Sequence, residues 1–106
     1  MQILVVGMGL IGGSICKSIK AVTEHTVYGC DVRQDVLEQA LEDGSIDGTG
    51  TMEDGAYDMI IVCLHQRIAI SLIQKALPRI KAGTILVDAC GLKGKMVRDL
   101  TYRCQK

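Results

Sequence analysis

The sequence has no tryptophan and no phenylalanine, and its three tyrosines, Tyr28, Tyr57 and Tyr102, stand far apart. They form no platform on which successive nucleic-acid bases could stack. Net charge is lacking too: twelve Lys and Arg balance twelve Asp and Glu. No basic field is therefore present to attract nucleic acid or an anionic membrane. Long hydrophobic runs are missing as well. The longest wholly apolar stretch, residues 59–64, is far too short to span a bilayer. No basic residue precedes the apolar residues 3–6, so the N-terminus does not read as a signal peptide, and a cytoplasmic address is expected. The five cysteines, Cys16, Cys30, Cys63, Cys90 and Cys104, are odd in number, widely spaced and without a C-x-x-C pair. This argues against a disulfide framework or a zinc site. Three of them lie in or at the end of apolar runs, where a thiol serves as a small hydrophobe.

What is present fits one compact domain: 106 residues, 48% hydrophobic and 23% charged. Short β-rich runs alternate with longer amphipathic stretches, the pattern of βαβ units around a parallel sheet. Residues 2–6 read as a buried first strand ending at Gly7. Ile11, Ile15, Ile19 and Val22 then mark a helical stripe. A second strand is expected over residues 26–30. Asp35 followed by Glu38 suggests a capping box, with Val36, Leu37, Ala40 and Leu41 facing inward and Gly44 ending the helix. The Gly- and Asp-rich stretch 45–55 leaves room for a very short strand near 49–51. Residues 59–63 form a further buried strand. Ala69, Leu72, Ile73, Ala76, Leu77 and Ile80 mark a helix disturbed at Pro78, followed by a strand over 84–87 and a last helix over 93–102 with Met96, Val97 and Leu100 on one side. The expected architecture is α/β and doubly wound, a mostly parallel sheet of about five strands with helices on both faces.

Between the first strand and first helix lies Gly7-Met8-Gly9-Leu10-Ile11-Gly12, a G-x-G-x-x-G match. Alone the pattern is weak, but a strand before it and a helix after it give it meaning. Gly7 allows the tight turn, Gly9 lets the backbone approach a pyrophosphate, and Gly12 lets the helix pack on the sheet. The helix N-terminus offers its unpaired N–H groups to the phosphates. Asp31 ends the second strand about 20 residues past Gly12, where an acid can accept hydrogen bonds from the adenosine ribose hydroxyls. Its charge would repel the 2′-phosphate of NADP, so the expected cofactor of this Rossmann-type domain is NAD. Arg33 complicates that choice, because an Arg here can pair with a 2′-phosphate or stack on adenine. The competing reading makes the glycines strand-to-helix punctuation, Asp31 a solvated cap and Arg33 a surface residue. Flavin binding by the same fingerprint is a further alternative.

From this loop onward the sequence resembles the N-terminal domain of the prephenate/arogenate dehydrogenase family of tyrosine biosynthesis. The resemblance runs through residues 6–14, 27–31, 40–47, 58–63 and 83–94, nearly the whole chain. Gly12-Gly13-Ser14 and Gly91-Leu92-Lys93-Gly94 are its more specific parts. It implies NAD(P)-dependent oxidative decarboxylation: hydride leaves the ring carbon bearing the hydroxyl, and loss of carbon dioxide gives an aromatic product. It also implies a cofactor site of Gly7, Gly9, Leu10, Ile11, Gly12, Asp31, Arg33, Cys63, Leu64, His65 and Arg67, with Lys93, Gly91 and Gly94 near the nicotinamide end or merely capping the last helix.

Two departures stand out. His65 occupies a place where the family usually has Pro, although Arg67 keeps the Arg that follows. Neither His25 nor His65 precedes a Pro, so neither matches the family's catalytic Gly-His-Pro segment. No residue of this chain is expected to be catalytic, and none to bind metal. The resemblance places the acid–base group downstream of the last strand read here, and most of the prephenate or arogenate contacts and a homodimer interface in a C-terminal helical domain, all absent from these 106 residues. The chain is then expected to bind NAD without turnover by itself. A stand-alone NAD-sensing regulatory module and another small-substrate NAD-dependent reductase are the alternatives. His25 is expected in water; His65, at the end of a parallel strand, either lines the cofactor pocket or faces solvent.

Overall fold

The computed structural model describes residues 1–89. Among them, β1 (Gln2–Val6), α1 (Leu10–Val22), β2 (Thr26–Cys30), α2 (Gln34–Glu42), β3 (Gly48–Thr49), β4 (Met59–Val62), α3 (Gln66–Ala76) and β5 (Ile85–Asp88) follow in order, with 3-10 turns at Met52–Asp54 and Leu77–Arg79. The strands form one sheet in the order β3-β2-β1-β4-β5, and every pairing is parallel. This is the doubly wound Rossmann arrangement read from the sequence. The chain travels outward from β1 to β3, then returns past β1 to β4 and β5, so the loops leaving β1 and β4 diverge to opposite faces.

The central strand is apolar at every buried position because both its faces are covered. Leu4 and Val6 join Ile60, Val62 and Leu86 under Ala69, Ile73 and Ala76 of α3. Ile3 and Val5 join Val27 and Ile61 under Cys16 of α1 and Leu37 and Ala40 of α2. Burial pushes the Cys16 thiol up to about 11, in keeping with a role as packing. The expected last helix, 93–102, lies outside the described residues, as do Cys90, Cys104 and Lys93.

Five expectations about the elements are corrected. The inward stripe of α1 is Gly12, Ile15, Cys16 and Ile19, whereas Ile11 and Val22 are exposed. The helix turns its glycine side to the sheet because that approach is closer than Ile11 would permit. Leu41 is likewise exposed on α2. Asp35 does not cap α2. The helix starts earlier, at Gln34, with Arg33 as the N-cap residue and no side chain capping it. Asp31 accepts the Arg33 N–H at 2.9 Å, and this turn puts the N-cap two residues before Asp35. A box-like exchange occurs instead where none was expected, with the Thr51 N–H and hydroxyl both donating to the Asp54 carboxylate. Finally, β3 covers Gly48–Thr49 rather than 49–51, and Leu72 leaves the α3 core stripe for the surface beside it.

Candidate functional site

The C-terminal ends of β1, β2 and β4 converge on one crevice. The Gly7 N–H donates to the Cys30 carbonyl at 2.7 Å, and the Cys63 N–H donates to the Val6 carbonyl at 2.7 Å. The ends of β2, β1 and β4 are thereby held side by side. Gly7 has φ of +92°, and a Cβ there would lie 2.7 Å from the Cys63 carbonyl oxygen. A Cβ on Gly12 would lie 1.9 Å from the Gly7 carbonyl oxygen. Both glycines are therefore demanded by the fold itself. Gly9 differs: its φ is −67°, and a Cβ there would meet nothing within 4 Å. Nothing within the described chain requires a glycine at this position.

Gly9 is also the N-cap of α1, and no side chain caps it. The first N–H groups of a helix have no intrahelical acceptor, and their aligned dipoles favour an anion. The loop thus presents bare backbone and donors to open space.

Asp31 braces both sides of the crevice. One carboxylate oxygen accepts the Met8 N–H of the glycine loop at 2.7 Å, and the other accepts the Arg33 N–H at 2.9 Å. Each oxygen has a second lone pair for further donors. The half-buried carboxylate stands at an apolar cavity of about 290 Å³. Val6, Gly7, Cys30 and Val32 form one side of it; Leu64, Ile68 and Leu72 form the other. Burial, aided by the charges of Asp31 and Asp54, pushes the Cys30 thiol up. A pocket of this size suits one end of a dinucleotide: a flat apolar base, with a sugar at the carboxylate.

Of the residues singled out from sequence, Gly7, Asp31 and Leu64 meet in this cavity. Gly9, Leu10, Ile11 and Gly12 make the adjoining turn, with Leu10 90% exposed. Arg33 lies on the surface, its guanidinium 2.8 Å from Asp35. Cys63 is half-buried beside the glycine loop. His65 is exposed and is the N-cap of α3, its Nδ1 accepting the Arg67 N–H at 3.4 Å. Arg67 is exposed in the first turn of that helix. His25 lies at the other edge of the sheet, its Nδ1 2.9 Å from the N-terminal amine. Among the described residues no cluster of side chains could hold a metal ion, and no helix is long and apolar enough to cross a membrane.

Sequence reasoning missed Val32, Ile68 and Leu72 as cavity wall. A signal existed: Leu64, Ile68 and Leu72 recur every four residues, a second apolar row beside the Ala69, Ile73 and Ala76 stripe. One helix packing on one sheet needs a single such row.

A family model described as the NAD binding domain of 6-phosphogluconate dehydrogenase matches residues 2–106. The chain belongs to this family. Among more specific relatives, prephenate dehydrogenase of Lactococcus lactis subsp. cremoris (strain MG1363) is 35% identical over 100 residues, which take in 91% of this chain and 28% of that protein. The crystal structure of prephenate dehydrogenase from A. aeolicus in complex with hydroxyphenyl propionate and NAD+ has a TM-score of 0.85 and 27% identity, covering 100% of this chain and 39% of that one. Synechocystis arogenate dehydrogenase shares the fold, with a TM-score of 0.84 at 24% identity over 97% of this chain and 37% of that chain. This NAD-binding domain therefore spans well under half the length of these relatives. The resemblance carried by the glycine loop and the segments after it holds for the nucleotide-binding domain.

Proposed function

We propose that this chain is the coenzyme-binding domain of an NAD-dependent prephenate or arogenate dehydrogenase of tyrosine biosynthesis, working in the cytoplasm. The observation that carries the reading is the juxtaposition at the crevice: the Asp31 carboxylate at an apolar cavity, beside a glycine that the fold does not require. Adenine would enter the cavity against Val32, Ile68 and Leu72. The ribose hydroxyls would donate to the remaining lone pairs of Asp31, and the pyrophosphate would lie over Gly9, Leu10, Ile11 and Gly12 at the start of α1. The nicotinamide end would then extend toward Cys63, His65 and Arg67. Bound NAD supplies the hydride acceptor for oxidation at the hydroxyl-bearing carbon; this chain's residues hold and orient it. The groups that bind substrate, move its proton and form a homodimer come from outside these 106 residues.

The test is a calorimetric titration of NAD and NADP into the chain and into Asp31→Ser. NAD binds the unaltered chain in preference to NADP. The substitution removes hydrogen bonds to a charged acceptor and weakens NAD by roughly 10- to 100-fold, while narrowing the preference. Thermal denaturation of the same samples separates this from the loss of the braces to Met8 and Arg33. A preference unchanged in Asp31→Ser removes the assignment.

A further inference from the structure

The loop from Asp31 to Asp35 carries a charge pair that the coenzyme fingerprint does not call for. Asp31 turns the loop by accepting the Arg33 N–H, so Arg33 sits two residues past the carboxylate that would meet the ribose. An Arg beside that position is the ordinary partner for a 2′-phosphate. Here the Arg33 guanidinium donates instead to the Asp35 carboxylate at 2.8 Å. Both side chains are mostly exposed, so packing does not impose the pairing. Asp31, Arg33 and Asp35 leave this short loop with a net charge of −1; neutralising Asp35 would bring it to zero and release the guanidinium fork. Charges this close on one loop lie within a screening length of each other at physiological salt, about 8 Å.

We propose that Asp35 is a specificity residue for the coenzyme: by engaging Arg33 it withholds a nearby cation that could accept the 2′-phosphate of NADP, and it reinforces the choice made by Asp31. The inference rests on the dinucleotide reading of the crevice. Asp35 also stands in the first turn of α2, where a carboxylate favours the helix dipole. That role would alter melting temperature but leave the ratio of NADP to NAD affinity unmoved.

The experiment titrates NAD and NADP into the unaltered chain, Asp35→Asn, and Asp35→Asn combined with Arg33→Ala. In Asp35→Asn, affinity for NADP rises about three- to tenfold, the scale of an exposed charge-assisted contact to a phosphate. Affinity for NAD changes less than about twofold, the lower end of exposed pair energies. The gain for NADP disappears in the double variant. No gain in Asp35→Asn, or a gain that persists without Arg33, overturns the proposal while NAD binding by the unaltered chain leaves the site reading intact. Failure of the unaltered chain to bind NAD overturns that reading, and this inference with it.

Discussion

Gly9 and Gly12 belong to one loop, yet a methyl group added to each meets opposite surroundings. On Gly12 it would press within 1.9 Å of the Gly7 carbonyl oxygen, and backbone held between a strand and a helix cannot step aside. Gly12→Ala should therefore cost about 3 kcal/mol, at the upper end of overpacking, and lower the Tm by about 10–20 °C. On Gly9 the methyl would reach empty space at an ordinary φ. Gly9→Ala should change stability by less than about 1 kcal/mol, the scale of an N-cap substitution. Its effect belongs to the ligand: a side chain standing where the pyrophosphate must approach should weaken NAD by an order of magnitude or more (about 1.4 kcal/mol per tenfold). Melting curves and NAD titrations on the two variants check both halves. Undiminished NAD affinity in Gly9→Ala would show that the phosphates do not come near this backbone.

At the scale of elements, α2 shows what periodicity reveals and where it stops. Its C-terminus was legible because Gly44 acts locally: φ is +79°, the Ser45 N–H donates to the Ala40 carbonyl at 2.9 Å, and the Gly44 N–H donates to Leu41 at 3.3 Å. That is the Schellman pattern, and glycine suits it because it lacks a Cβ. An added Cβ at Gly44 meets nothing within 4 Å, so Gly44→Ala should show the backbone cost alone, about 1–2 kcal/mol, with a Tm loss of about 4–15 °C. Gly44→Asn should recover part of it, since Asn tolerates this region better; equal losses for Ala and Asn would point to a cause other than backbone conformation. The N-terminus of α2 was not legible, because the group that turns the chain there is Asp31. Its second oxygen is held by Met8, from a different strand-to-helix loop. The bounds of β1 and β2 could be read because a parallel strand covered on both faces is apolar until its turn residue. The stripe of α1 could not, since a glycine that buries a helix is invisible to a hydrophobicity count.

Across the whole molecule, the candidate site divides along the same line. The glycine loop and Asp31 are local motifs and were readable. The cavity wall of Ile68 and Leu72 exists only because α3 crosses to the opposite face from α1, and side-chain spacing alone could not say what that second apolar row would face. The sheet also separates binding from acid stability. At its N-terminal edge, away from the crevice, Asp47 accepts the Val27 N–H and pairs with Lys20, while Asp58 accepts the Gln2 N–H and pairs with Lys81. The strand N–H bonds, and next the lysines, hold both carboxyls below the ordinary aspartate range. A carboxyl whose pKa is lower folded than unfolded adds stability that is complete above the unfolded value, about 3.9, and is lost as pH falls through the folded one. The Tm should therefore be level from pH 8 to 5 and fall below about pH 4. Asp47→Asn with Asp58→Asn should lower that plateau and flatten the acid limb, while NAD affinity at neutral pH stays within about twofold. Calorimetric melting across pH 2.5–8 reads the first two effects, and titration reads the third. An acid limb of unchanged steepness in the double variant would mean that other groups take up the protons that unfold the domain.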